Sequence, residues 1–314
     1  MEKTLVSIGM PVYNNKDTLV LAVKSVFAQT YQNWEMILID DGSTDKSLEK
    51  ARKIEDIRVR IIDGQSNQGL PNRLNQIATL ARGKYLARMD ADDLMHPQRI
   101  ESQVKYLEEN PEVDVVGTDA YAINDRLSPV RLKNYSGLNQ ELRAVLKAGL
   151  LIHASITGHK EWFINNPYDP AYRRSEDHEL WSRTCLESRF ANLAIPLMFV
   201  REAGVFQLSK YLATLQTDRK IIKEYGPQTA DWTYTRYLLW RNRLKGLLYT
   251  LFSFFHIEDL LIYRRGLPLS RMEFQRATTT IANIARTNVP GWGELDLPAG
   301  PDEEARFADA GRSI

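Results

Sequence analysis

The chain has 314 residues, with 41 Lys and Arg against 40 Asp and Glu and a formal net charge of +1. That length holds one large domain or two modest ones, since single cores stop growing near roughly 250 to 300 residues. The balanced charge gives no global field for nucleic acid, so an anionic partner has to be met locally, and the single cysteine, Cys185, excludes a disulfide framework or a cysteine zinc cluster and fits a reducing compartment.

Met1 to Thr4 run straight into a strand-like segment, which leaves no room for the charged and apolar regions of a signal peptide, so the chain is expected not to be exported. The nearest approach to an apolar bilayer span, Gly246 to Tyr263, carries Glu258 and Asp259. From Leu5 the pattern alternates. Leu5 to Met10 predicts a strand ended by Pro11, which cannot donate to a ladder. Thr18 to Ala28 places Leu19, Ala22, Val23, Val26 and Phe27 at helical spacing. Trp34 to Ile39 predicts a strand, Asp45 to Ile54 a helix, Arg58 to Ile62 a strand, and Pro71 to Ala81 a helix with proline in its first turn. A strand over Tyr85 to Met89, a helix over Pro97 to Glu109 and a strand around Val113 to Gly117 follow. This alternation predicts βαβ units and an α/β fold with a mainly parallel sheet covered by helices, whose ligands bind beyond the carboxyl ends of the strands.

The segments at those strand ends are Pro11-Val12-Tyr13-Asn14-Asn15, Asp40-Asp41-Gly42-Ser43-Thr44-Asp45, Ser66-Asn67-Gln68-Gly69 and Asp90-Ala91-Asp92-Asp93. In the second, Gly42 makes a turn and Ser43, Thr44 or Asp45 caps the next helix, which leaves two adjacent acids unexplained. A carboxylate there can accept from a uracil imide or a ribose hydroxyl, and Tyr13 can stack on a base. Three carboxylates within the four residues Asp90 to Asp93 repel one another unless a cation or donors sit between them, and oxygen-only ligands suit Mg²⁺ or Mn²⁺ completed by phosphate oxygens. Taken alone, such a turn is also what a solvated strand end looks like. No Gly-x-Gly-x-x-Gly follows the first strand and no Walker lysine loop is present, which argues against a nicotinamide or P-loop site.

Val6-Ser7-Ile8-Gly9-Met10-Pro11-Val12-Tyr13-Asn14, the Asp40 to Asp45 segment, Asn67-Gln68-Gly69 with Arg73 and Asn75, and Asp90-Ala91-Asp92-Asp93 together resemble glycosyltransferase family 2 in order and spacing, over about the first two-fifths of the chain. The resemblance, in particular to bacterial surface-polysaccharide sugar transferases of O-antigen or capsule type, implies the GT-A fold, a nucleotide-diphosphate sugar, a divalent cation and inversion at the anomeric centre. It implies a nucleotide-binding set of Pro11, Tyr13, Asp41, Arg73, Asp90 and His153. Tyr13 would pack on the base, Asp41 bond to base or ribose, and Asp90 contact ribose or phosphate, with Asp40 supporting the site. Arg73 read by itself is equally a helix-surface arginine, and His153 equally a structural histidine. Asp92 is the first choice of metal ligand and Asp93 its rival.

Beyond Ala120, Asn124 to Pro129 predicts a turn between strands, Gln140 to Ala148 a short helix, and Leu151 to Ile156 a strand carrying His153. Leu180, Trp181 and Thr184 give a helix its buried stripe, with Ser175 to Asp177 at its start, where acids also suit the helix dipole. The resemblance makes Asp177 the general base and Glu176 its neighbour. The chemistry independently requires such a group, because a hydroxyl attacking an anomeric carbon must lose a proton to a carboxylate within about 2.6 to 3.2 Å or one water away. Pro196 to Arg201 predicts a strand, and Ala203 stands where the family often has histidine. Gln207-Leu208-Ser209-Lys210-Tyr211 lacks the Arg and Trp of processive relatives, so one sugar per encounter is expected.

Trp232 to Tyr263 mixes aromatic and aliphatic residues with Arg236, Arg241, Arg243, Lys245, Arg264 and Arg265, which predicts a basic amphipathic helix pair able to lie on an anionic membrane or to cap the domain. From Pro290 the loss of periodicity predicts a disordered tail. The expected division is 1–119 for the nucleotide-sugar half, 120–215 for the acceptor half with the base, 216–289 for a helical extension and 290–314 for the tail. The function expected is transfer of a single hexose from a UDP-sugar to a hydroxyl of a saccharide acceptor, lipid-linked, at the cytoplasmic face of the plasma membrane. A nucleotidyltransferase and a catalytically silent carbohydrate-binding or regulatory module are the alternatives.

Overall fold

The computed structural model describes residues 3–134, 137–202, 207–229, 231–255 and 266–293. Strand β1 (Val6–Val12) runs at the centre of a parallel group, with β2 (Trp34–Asp40) and then β3 (Val59–Asp63) on one side and β4 (Tyr85–Arg88) on the other. Alternate residues of these strands face opposite layers, and both faces of β1, β2 and β4 are dry, which is why those strands read as nearly continuous apolar runs, whereas β3 at the edge is half-buried. Val6, Ile8, Met10 and Val12 pack with Met36 and Leu38 under α1 (Leu19–Phe27) and α4 (Arg99–Glu109). Ile37, Ile39 and Leu86 face α3 (Leu70–Leu80) in the opposite layer. Helix α2 (Ser47–Ala51) is one short turn inside the longer helix expected there.

Beyond β4 the sheet changes character. The expectation of a mainly parallel sheet holds for β1 to β4; the rest is mixed, in the order β4, β8, β6, β9, β5 among the described residues. Strand β8 (Thr157–His159) is antiparallel to both β4 and β6 (Val115–Ile123), β6 pairs in parallel with β9 (Phe190–Arg201), and the two-residue β5 (Leu94–Met95) closes the edge. A turn over Asn124 to Pro129 does separate two strands, β6 and β7 (Pro129–Lys133).

The strand expected over Leu151 to Ile156 is absent: His153–Ser155 form a 3-10 turn and the strand begins at Thr157. Ser155 provides the reason, because its Oγ donates to the Ile152 carbonyl at 2.8 Å and accepts from the Thr118 amide at 3.0 Å, which closes the chain locally. Helices α5 (Leu142–Ala148), α6 (Lys160–Asn165) and α7 (Glu176–Thr184) join α3 in packing on the second face.

Helix α8 (Leu208–Tyr225) crosses residue 215 without a break and lies against α7 and α9 (Trp232–Phe254). The last described helix, α10 (Arg271–Ala285), returns to the first half, burying Ala277, Ile281 and Ile284 with Leu21 and Phe199. Residues 290–293, expected to open a disordered tail, are instead packed: Trp292 is 9% exposed and its indole donates to the Lys50 carbonyl, while the Pro290 carbonyl accepts from the Glu55 amide. Ala203, Arg264, Arg265 and residues 294–314 lie outside the described residues.

Candidate active site

The carboxyl ends of β1, β2 and β4 converge on a cleft of about 340 Å³. Pro11, Tyr13, Asp41, Arg73, Asp90 and Asp92 all line it, with Asn67, Gly69 and Arg88. Tyr13 is 47% exposed, so its ring face is available for stacking. The β1 end is held by Asn14, in the left-handed region at φ 55, whose amide donates to Ser43 Oγ and whose Oδ1 accepts from the Thr44 amide.

Asp40 and Asp41 divide two tasks. Asp40 is buried and its Oδ2 accepts from the Ser43 amide, which shapes the turn at Gly42. Gly42 sits at φ +73, where a Cβ would fall 2.8 Å from the Ser66 carbonyl carbon. Asp41 accepts from the Gln68 amide at 2.8 Å, the Gly69 amide at 2.9 Å and Arg73 Nε at 2.7 Å, so about one acceptor direction, on Oδ2, is left for a ligand. Arg73 is therefore no surface residue. It is 3% exposed and its Nη2 also donates to the carbonyls of Gly64 and Ser66, an approach that a side chain at Gly64 would block.

At the end of β4, ligand oxygens of Asp90, Asp92 and Asp93 lie within 4.8 Å of one another. Asp92 is exposed in the cleft, whereas Asp93 is 3% exposed and its Oδ1 accepts from the Arg201 amide. Desolvation within the walls of the cleft and then the charge of Asp90 push the Asp92 carboxyl up; burial, Asp90 and Asp92 push Asp93 up further. An all-oxygen set that resists its own ionisation fits a hard divalent cation such as Mg²⁺ or Mn²⁺. Arg201 braces the same turn, donating from Nε to the Asp92 carbonyl.

A second acidic pair stands beyond Arg88. Ser175 begins α7 in the left-handed region at φ 54, a conformation that costs a non-glycine residue about 1–3 kcal/mol, and Glu176 and Asp177 follow it in the first turn. Leu180 and Trp181, both 0% exposed, anchor the helix. Burial and then the Asp177 charge push the Glu176 carboxyl to about 7, and burial raises Asp177 as well. His178 opposes that rise: although burial disfavours its charge, Asp218 at 3.3 Å and the Val145 carbonyl at 3.1 Å face its two ring nitrogens and favour the imidazolium.

His153 does not line the cleft. It lies against this pair, with Nδ1 3.6 Å from Glu176 and Nε2 2.8 Å from the Tyr168 hydroxyl, and burial followed by the Arg88 charge keeps its imidazole neutral. Tyr168 is tied to α3 by reciprocal bonds between its backbone and the Asn75 amide group, at 2.8 and 2.9 Å.

Three residues of the site were not singled out from sequence. Arg88 pairs with Asp90 while its charge acts on Glu176 and Asp177, Tyr168 buttresses His153, and the fully buried Arg99 donates to the carbonyls of Arg88 and Ile156 and so fixes the end of β4. For Arg88 the signal was present, since a charged residue inside an otherwise apolar strand needs a reason.

The model of the family described as Glycosyl transferase family 2 matches residues 7–167, which ends just short of Glu176 and Asp177. A putative glycosyltransferase EpsE of Bacillus subtilis is 41% identical over 116 residues, 36% of this chain and 42% of that one. An uncharacterized glycosyltransferase MJ1057 of Methanocaldococcus jannaschii is 30% identical over 190 residues, covering 58% of this chain and 65% of that protein. The chain thus spans less than two thirds of the length of either relative. Among solved structures, Staphylococcus aureus TarS 1-349 in complex with UDP-GlcNAc superposes with a TM-score of 0.58 at 15% identity, over 90% of this chain and 81% of that one. Mannosyltransferase PcManGT from Pyrobaculum calidifontis, in complex with GDP-Man and Mn²⁺, gives 0.55 at 14% identity, over 90% and 85%. Likeness at that identity speaks for the shared fold.

Proposed function

The chain belongs to glycosyl transferase family 2, and from that premise we propose that it is an inverting, metal-dependent glycosyltransferase that moves one hexose from a UDP-sugar to a hydroxyl of a saccharide acceptor. The observation that carries the reading is the presence of two unlike acidic groups that share the charge of Arg88, one exposed in the cleft and fit for a cation, the other more buried, outside the cleft lining and poised to take a proton. Tyr13 stacks on the base and Asp41 accepts from it or from the ribose, with Pro11 and Arg73 shaping that end and Asp90 next to the phosphates. Asp92, which reaches the cleft, is the direct metal ligand, and Asp93 supports it from behind. A divalent cation held there would neutralise charge on the departing diphosphate. Asp177 takes the acceptor proton, with Glu176 setting its electrostatics and the neutral His153 behind both.

The test is calorimetric titration of UDP in the presence of Mn²⁺, followed by a screen of UDP- and GDP-sugars for hydrolysis. Asp92→Ala is expected to weaken Mn²⁺-dependent UDP binding at least about tenfold, as loss of a charged ligand would. Unchanged UDP affinity would refute that ligand, and turnover of GDP-sugars alone would replace the nucleotide.

The acceptor is lipid-linked on this reading, in surface-polysaccharide synthesis, and α9 provides the means of reaching it. Trp232, Arg236, Trp240, Arg243, Leu247, Leu251 and Phe254 follow one another at steps of three or four along one face and are all exposed. No described helix is long and apolar enough to cross a membrane, whereas an apolar stripe interleaved with arginines suits the surface of an anionic bilayer. Phosphatidylglycerol-containing vesicles should sediment the protein at low salt and pure phosphatidylcholine vesicles should not, with Trp240→Ser reducing the bound fraction. Equal behaviour towards both vesicle types would remove the membrane from the proposal.

A further inference from the structure

Arg88 is the interior residue of the site whose polar atoms are least accounted for. It is 6% exposed, at the end of a strand in which all four residues are buried. Its backbone is pinned, because its amide donates to the Ile156 carbonyl at 3.0 Å and its carbonyl accepts from Arg99 Nη2 at 2.9 Å. Its side chain makes an ion pair through Nη2 with Asp90 at 2.7 Å, while Nε and Nη1 are buried with no hydrogen-bond partner. A guanidinium carries five N–H donors in a rigid fork, and those on Nε and Nη1 point away from the one carboxylate it touches. Burying charged donors unpaired is costly, and a pinned backbone keeps them from retreating to water.

The position says what could pair them. Arg88 lines the cleft beside Asp90 and Asp92, and its charge also acts on Tyr168, Glu176 and Asp177 on the far side. A nucleoside diphosphate sugar laid with its base on Tyr13 and its acceptor side at Asp177 would bring its second phosphate and the bond to be broken to the ground between. A planar donor fork matches a phosphate edge better than it matches a sugar hydroxyl.

Resting on the proposed nucleotide-sugar reading, we propose that Arg88 is a donor-binding residue whose guanidinium, sealed against Asp90 in the cleft, turns about that contact to hold the β-phosphate through Nε and Nη1. During transfer the acceptor oxygen forms its bond to the anomeric carbon as its proton passes to Asp177. The bond from the anomeric carbon to the β-phosphate oxygen breaks, and its electron pair stays on that oxygen, where the Arg88 fork meets the added charge. Asp90 orients the fork from the opposite side.

UDP and UMP differ by that phosphate, so they are the probes. Calorimetric titrations with Mn²⁺ present are expected to show wild type preferring UDP, Arg88→Met losing about tenfold or more in UDP affinity with UMP within about twofold, and Arg88→Lys falling between them. Direct Mn²⁺ titration of each variant guards against an effect relayed through Asp90. Methionine is an apolar replacement of similar length, but it leaves Asp90 without its partner and so destabilises the turn; should it not fold, the ratio of UDP to UMP affinity in Arg88→Lys carries the comparison and must still drop. If Arg88→Met lowers both nucleotides alike, or neither, the assignment is overturned, and a displaced pH profile with intact UDP affinity would make Arg88 a partner of Glu176 and Asp177 instead. Wild type binding no nucleotide would overturn the nucleotide-sugar reading as well, an outcome distinct from wild type and Arg88→Met discriminating UDP from UMP equally.

Discussion

Asp177→Asn should lower transfer by about 10² to 10⁴-fold, the range of a positioned general base, while UDP still binds with Mn²⁺ at the wild-type affinity. The separation is expected because Asp177 is not among the residues lining the nucleotide cleft. The same pair sets the pH dependence. Both carboxyls are raised by burial, and Glu176 goes to about 7 because the Asp177 charge adds to it, so the Asp177 carboxylate that accepts a proton is lost as pH falls through a point above the usual carboxylate range. The acid limb of kcat/KM is therefore expected above the usual carboxylate range and not near 4, and Glu176→Gln, which removes a carboxyl that ionises after Asp177, should leave it in place. Stability has the opposite sign. A carboxyl whose folded pKa lies above its unfolded value binds more protons when folded, so stability declines as pH rises through that interval. Asp177→Asn relieves this cost and should melt higher than wild type at pH 8. Near wild-type turnover in Asp177→Asn would place the base elsewhere.

What the sequence made legible follows from which contacts are local. Strands β1 to β4 are apolar runs bounded by turn residues, and the chemistry sits at their ends, so Tyr13, Asp41, Asp90 and Asp92 could be picked out before any coordinates and do meet in one cleft. Strand β9 was read only from Pro196, although it begins at Phe190. Pro196 lies where the pairing with β6 shifts register, and a proline there disguises a continuous strand. Strand β5 is too short to show a period. The apolar run before β8 has the composition of a strand, but the Ser155 hydroxyl bonds locally and turns it. Arg73 and Asp41 are 32 residues apart, and no pattern within one helix reveals that a carboxylate from another loop will bury its arginine.

That buried pair leads to the second large effect. Asp41→Ala is expected to cost about 3–5 kcal/mol in denaturant unfolding, the loss seen when one partner of a buried ion pair is removed, and to abolish UDP binding in the micromolar range. The stability loss comes from what Asp41 leaves behind: a 3% exposed guanidinium with no anion, and the Gln68 and Gly69 amides with no acceptor. The binding loss comes from the same carboxylate by a different route, since it both holds the Asn67 to Gly69 loop against the cleft and offers its remaining acceptor direction to the nucleotide. Adding Arg73→Met separates the two. With the orphaned charge gone, the double variant should recover much of the stability, while the nucleotide, which still finds no acceptor, should bind no better than to Asp41→Ala alone. Recovered stability without recovered binding is the signature of a residue that folds the loop and touches the ligand. If stability recovers and UDP affinity returns with it, Asp41 is scaffold only, and the nucleotide is read by Tyr13 and the backbone of the loop.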